Sequence, residues 1–159
     1  MSTPVERFLA AQPRELTRAA LGDRATDFFE SASPVRFGDA WGEVAREAGV
    51  PCPAALRALG DAMAQQFIYF RFRGHQYAML TPEGARRERA LLAELAASAP
   101  ELGPFCQMLP LFAEDGDTLL LDAAGAIWAL PHDDAPPRAP EVPSLEALLA
   151  EATAPSLNL

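Results

Sequence analysis

The chain contains no lysine: all 13 of its cationic side chains are arginine, set against 22 aspartates and glutamates, for a formal charge of −9 in 159 residues. An acidic chain with so few basic groups is poorly equipped to neutralise phosphates, which argues against nucleic acid as a partner. Cysteine is almost as scarce. Cys52 and Cys106 lie far apart beside apolar neighbours, without the paired spacing of a zinc site or a disulfide framework, so both are expected to be reduced and buried. Long apolar runs are also lacking. The most apolar stretch, residues 118–130, is interrupted by Asp122 and too short to span a bilayer, and the N-terminus has no basic segment followed by an apolar run. The expectation is a soluble cytoplasmic protein with no membrane partner. Finally, no Gly-x-Ser-x-Gly elbow surrounds any serine, no phosphate-cradling glycine loop is present, and a Cys–His pair would have to be assembled from distant positions. These absences predict a protein that is not an enzyme and takes no cofactor.

What the chain does have is apolar mass, 50% of its residues, enough for one core in a domain of this length. Its charge is uneven. Residues 1–112 carry 12 arginines against 13 acids, whereas residues 113–159 carry one arginine against 9 acids. The negative field therefore belongs to the last third, where it suits either solubility or the steering of a basic partner.

Thr3-Pro4-Val5-Glu6 has capping-box spacing and predicts a helix to about Ala11, with Pro13 restarting helical or irregular material through Leu21 and the Phe28-Phe29 pair. Asp39 has cap chemistry for a helix in which Trp41, Val44, Ala45 and Ala48 recur and which Gly49 ends. A second helix follows Pro53, with Leu56, Leu59 and Met63 on one face. The period then changes to two over residues 67–73, with Ile68, Phe70 and Phe72 facing in and Tyr69, Arg71 and Arg73 facing out; Gly74-His75 turns this strand back into residues 76–80. In this reading His75 is an exposed turn histidine. Thr81-Pro82-Glu83 opens a helix whose buried side is marked by Leu91, Leu92 and Leu95. A second hairpin joins Leu119–Leu121 to Ala126–Leu130 around Gly125, in which either Ile127 or Trp128 faces the core. A proline-rich loop and a final helix with Leu145, Leu148, Leu149 and Ala152 on one face complete the order. Helices, hairpin, helix, hairpin, helix predict an α+β fold with a mainly antiparallel sheet and flanking helices.

At the open end of the second hairpin, Asp115, Asp117, His132, Asp133 and Asp134 form an acidic cluster; with Tyr69, Arg71 and Arg73 of the first hairpin they are the candidate partner-binding residues. One imidazole and several carboxylates resemble a metal box, but the alternating ligands and closing glutamate of a calcium loop are missing, and no metal is expected. Helices 39–48 and 54–65 followed by a hairpin imitate a winged-helix DNA-binding regulator, the alternative reading. Its recognition helix would offer only Arg57, beside Asp61.

Several of these segments together resemble the SUKH superfamily. The likeness is carried by Trp41 and its helix, Gly49-Val50-Pro51-Cys52-Pro53, the strand from Phe67 to Phe72, Leu109-Pro110-Leu111-Phe112-Ala113 leading to Asp115-Gly116-Asp117, Leu119-Leu120-Leu121-Asp122, Gly125, Ile127-Trp128, His132-Asp133-Asp134 and the helix Ser144-Leu145-Glu146-Ala147-Leu148-Leu149. Members of that superfamily include bacterial immunity proteins that bind and neutralise toxins, and fungal relatives involved in cell-wall regulation. The resemblance implies a SUKH-like domain over residues 39–159 behind an N-terminal helical extension of residues 1–38. It further implies a non-catalytic immunity protein whose partner is a cognate protein toxin, which the acidic C-terminal third suggests is basic.

Overall fold

A computed structural model describes residues 2–22, 37–114 and 116–157. Helix α1 (Pro4–Ala10) begins with the expected reciprocal capping box between Thr3 and Glu6. A 3-10 turn (Arg14–Leu16) and the short α2 (Arg18–Leu21), capped by the Thr17 hydroxyl, follow. Phe28 and Phe29 lie outside the described residues. Helices α3 (Phe37–Ala48) and α4 (Ala54–Ala62) then lead into strands β1 (Tyr69–Phe72) and β2 (His75–Met79). Helix α5 (Pro82–Ser98), a 3-10 segment (Pro100–Gln107), strands β3 (Leu109–Glu114), β4 (Asp117–Leu121) and β5 (Ile127–Leu130), and helix α6 (Leu145–Glu151) complete the order. The fold is α+β. Its five strands form one sheet in the order β1-β2-β3-β4-β5, with every neighbouring pair antiparallel.

The β1–β2 connection is a two-residue turn in which Arg73 and Gly74 both have positive φ, 48° and 87°, the geometry that matches the twist of a tight hairpin. At the β4–β5 turn the Asp122 carboxylate replaces missing ladder bonds. Its Oδ1 accepts from the backbone N–H groups of Ala124 and Ala126, and its Oδ2 accepts from Trp128 Nε1 at 2.7 Å.

Both faces of the sheet are covered. On one, Trp41, Leu56 and Leu59 of α3 and α4 join Phe70, Phe112, Leu119, Leu121 and Ile127, with Leu145 and Leu148 of α6. Ring packing ties this core together: Phe70 meets Phe112 edge-on at 4.9 Å and Phe8 of α1 at 5.6 Å. On the other face Leu92, Phe105 and Met108 cover Leu120 and Leu130, and Trp128 packs against them. Among the described residues no helix is long and apolar enough to cross a membrane.

The structure corrects the sequence reading at several points. Residues 109–114 form a strand of their own at the centre of the sheet. Their run Leu109–Phe112 is buried throughout, so it has no alternating pattern to announce it, and the register shifts between Pro110 and Phe112. Helix α3 begins at Phe37, so Asp39 sits inside its first turn, 3.7 Å from Arg57, and does not cap it. Leu91 and Leu95 are not on the buried side of α5: each is 47% exposed, and of the three leucines only Leu92 reaches the core. Ile127 and Trp128 are not divided into a core and a solvent side chain, since each faces a core on its own side of the sheet. Cys52 and Cys106 are free thiols, as expected, but half-buried rather than buried.

Helices α3 and α4 approach closely because glycines face each other. A Cβ added at Gly60 would lie 2.8 Å from Trp41 Cδ1 and 2.9 Å from Gly38 Cα. Alanine normally favours a helix interior over glycine by about 1 kcal/mol, but overpacking a close contact costs about 1–3 kcal/mol, and here the neighbour is backbone. Gly60→Ala is therefore expected to lower stability in urea melts. A variant as stable as the parent would show that the two helices separate freely.

Candidate functional site

Three neighbouring strands meet at one end of the sheet and each contributes one polar side chain. His75 opens β2, Glu114 closes β3 and Asp117 opens β4. Glu114 and Asp117 are directly paired across the β3–β4 ladder, a like-charge juxtaposition that is unfavourable unless a cation lies close by. His75 is the candidate that reaches both carboxylates: its Nδ1 is 3.1 Å from Glu114 Oε2 and 3.8 Å from Asp117 Oδ2.

The chain returns to this point just beyond β5. The His132 backbone N–H donates to Asp117 Oδ1 at 3.0 Å, and His132 Nδ1 lies 2.6 Å from the same oxygen. His132 Nε2 is 2.8 Å from Asp133 Oδ2. Gly116 is required beneath the ring on two grounds. Its φ is +96°, and a Cβ there would stand 2.9 Å from His132 Cγ. Burial by itself raises the Asp117 pKa, but the hydrogen bonds from the His132 ring and backbone, with the charges of His132 and His75, outweigh it and hold the carboxyl below its usual range.

A cleft of about 390 Å³ opens beside these groups. Its apolar wall includes Leu130 and Pro131, and its polar rim includes Arg73, His75, Asp117, Asp134 and Glu141. Tyr77 also lines it; burial, reinforced by the charges of Asp117, Glu114 and Glu141, pushes its phenol up to about 12 and keeps it protonated. Leu130, Pro131 and Asp134 also border a second depression, of about 410 Å³, whose far wall carries the exposed Leu91 and Leu95. The segment after β5 thus stands between a polar and a more apolar hollow.

Of the residues singled out from the sequence, Asp117, His132 and Asp133 are in contact and Asp134 lines the adjoining cleft, while Asp115 lies outside the described residues. Tyr69, Arg71 and Arg73 are arranged differently, along an edge covered by the chain itself. Arg71 exchanges both backbone hydrogen bonds with Thr153, and its guanidinium donates to Ser156 Oγ at 2.8 Å. The Tyr69 N–H donates to Gln12 Oε1. Arg73 donates to both Glu151 oxygens, at 2.6 and 3.0 Å, and to Glu141 Oε2 at 2.6 Å, fastening the hairpin turn to α6. His75 and Glu114 were missed by the sequence reading. Each is unremarkable within its own segment, and the pairing of β2, β3 and β4 that unites them lies in no local pattern.

Comparison of the chain with protein-family models finds no match, and comparisons with curated proteins and with solved structures find none either.

The Arg73 fastening has a pH signature. Hydrogen bonding to Arg73 holds Glu151 below its ordinary carboxylate range. A carboxyl whose folded value is depressed contributes stability that is complete above its unfolded pKa and disappears as pH falls through the lower folded value. Arg73→Ala should return Glu151 toward the ordinary range in a carboxyl-carbon NMR titration and flatten the acid limb of the stability curve. An unmoved Glu151 titration would show that the pair exerts no hold in solution.

Proposed function

We propose that the chain is a non-catalytic protein-binding domain, an immunity protein of the SUKH type that neutralises a cognate protein toxin by presenting its acidic sheet end to a basic surface. The observation that carries this reading is the cleft beside Asp117, in which an apolar wall stands next to the carboxylates of Asp117 and Asp134, with Glu141 on the same rim already paired to Arg73. That combination fits a long basic side chain, whose methylene stem packs on apolar surface while its charged head reaches the carboxylates. The concentration of 9 acids in residues 113–159 extends the same field outward and favours rapid encounter with a cationic partner. Asp133, with 84% of its side chain exposed, supports little of the core and is free to face such a partner.

Two observations weigh against the winged-helix alternative. The β1–β2 hairpin is built into the five-stranded sheet, with β2 paired to β3 and the outer strand β1 bonded to Thr153, so it does not project as a wing. Arg57, the cation of the would-be recognition helix, is already beside Asp39.

The test is co-expression with the product of the neighbouring gene, followed by association kinetics on the purified pair. The chain should relieve the partner's toxicity. Reversing charge at Asp133 and Asp134 together should slow association on the order of tenfold and reduce its salt dependence without altering the melting temperature appreciably. Unchanged kinetics alongside loss of binding in Arg71→Ala would move the partner to the β1 edge. Sequence-selective binding to DNA upstream of its own gene would overturn the reading altogether.

A further inference from the structure

We propose that His75, Glu114 and Asp117 form a binding site for a divalent transition-metal ion of the Zn²⁺ class, with an open coordination position toward the neighbouring cleft. The argument begins with donor spacing. Ligand atoms held about 2.0–2.2 Å from a tetrahedral ion are themselves about 3.3–3.6 Å apart. His75 Nδ1 stands 3.1 Å from Glu114 Oε2 and 3.8 Å from Asp117 Oδ2, which brackets that range, and the three donor atoms all lie within 4.8 Å of one another. Small side-chain rotations bring them onto one ion.

The second strand of the argument is orientation. Asp117 Oδ1 is occupied by the His132 backbone N–H and ring, so the carboxylate is fixed with Oδ2 toward His75. Partners that hold a ligand's far oxygen in this way tune metal sites and set the angle of the donor. Charge points the same way, since the ladder places Glu114 directly opposite Asp117 and a dication between them offsets that repulsion. One imidazole with two carboxylates suits zinc, manganese or iron better than calcium or magnesium, which favour all-oxygen shells. His75 and Asp117 also line the cleft, so an ion held by three protein groups would turn its remaining position toward it.

The expectation from the sequence was that no metal binds, weighed on His132, Asp133 and Asp134 with their neighbouring aspartates. The present site shares only Asp117 with that set as a ligand and does not depend on the toxin-binding reading.

The experiment is calorimetric titration of the chelator-treated full chain with ZnCl₂. One equivalent should bind. His75→Ala and Glu114→Gln should each weaken binding at least tenfold, His132→Ala should weaken it by about 10-fold or more through Asp117, and Glu94→Gln, an exposed carboxylate on α5, should leave it unchanged. Imidazole ¹⁵N spectra of the parent protein supply a readout that needs no variant: the His75 ring resonances should shift and saturate at one equivalent of Zn²⁺. Absence of binding, affinity unaffected by both His75→Ala and Glu114→Gln, or His75 resonances that stay put during titration would each overturn the proposal.

Discussion

Successive residues of a strand point to opposite faces of a sheet, so a strand with three fully buried leucines in a row can exist only if both faces are roofed. Leu119, Leu120 and Leu121 of β4 impose that condition. Leu119 and Leu121 face the core built by α3, α4 and α6, and Leu120 faces the smaller core of Leu92, Phe105 and Met108. The part of the β2–β3 connection that carries Leu92, Leu102 and Phe105 is therefore a lid on the second face, whereas the start of α5, with Ala85, packs into the first core. Burying a large apolar side chain is worth about 1.5–3 kcal/mol, and three adjacent ones anchor β4 firmly between the two cores, beside the equally buried β3.

The position of the polar cluster follows from that constraint. With β4 clamped, the short hairpins on either side of it fix where Glu114, Asp117 and His132 can lie, and the Asp122 turn holds the opposite end of β4 and β5. A carboxylate pair facing one way at a sheet end would ordinarily relax by splaying apart. Here the paired backbone prevents it, and His75 and His132 approach the two oxygens of Asp117 from different sides. The same rigidity suits both proposals made above, since a charged surface that does not reorganise loses less ordering entropy on capturing a partner or an ion.

Two arginines fasten separate elements of the chain together. Arg73 joins the β1–β2 turn to Glu141 and Glu151, and Arg86 joins α5 to Glu47 of α3 through two bonds of 2.9 and 3.0 Å while also reaching Glu83. Hydrogen bonding to Arg86 lowers the pKa of Glu47 just as Arg73 lowers that of Glu151. Planar guanidinium groups can bind a carboxylate through two parallel bonds, which a lysine ammonium cannot do. Among the exposed acids of residues 133–134, Asp133 is met by His132 Nε2 at 2.8 Å, and Asp134 shares its cleft with Arg73 and His75.

The sequence by itself determined what depends on neighbours along the chain. The Thr3 capping box, the helix start at Thr81, the inward face Ile68, Phe70 and Phe72, the turn at Gly125 and the leucine face of α6 are all local, and each is formed as its pattern predicts. The acidic end was legible for the same reason, as Asp117, His132 and Asp133 stand close to a recognisable hairpin. Tertiary structure alone decided what depends on strangers in sequence. It made a strand of residues 109–114, whose two-sided burial erases any period, and it exposed Leu91 and Leu95 by offering α5 a core on one side only. It gave Gly60 its reason, a helix crossing too close for a methyl group. It also carried His75 from an ordinary turn to within reach of Glu114 and Asp117, because strand register converts separations of about forty residues into a few ångströms, and no periodicity along the chain encodes which strands will pair.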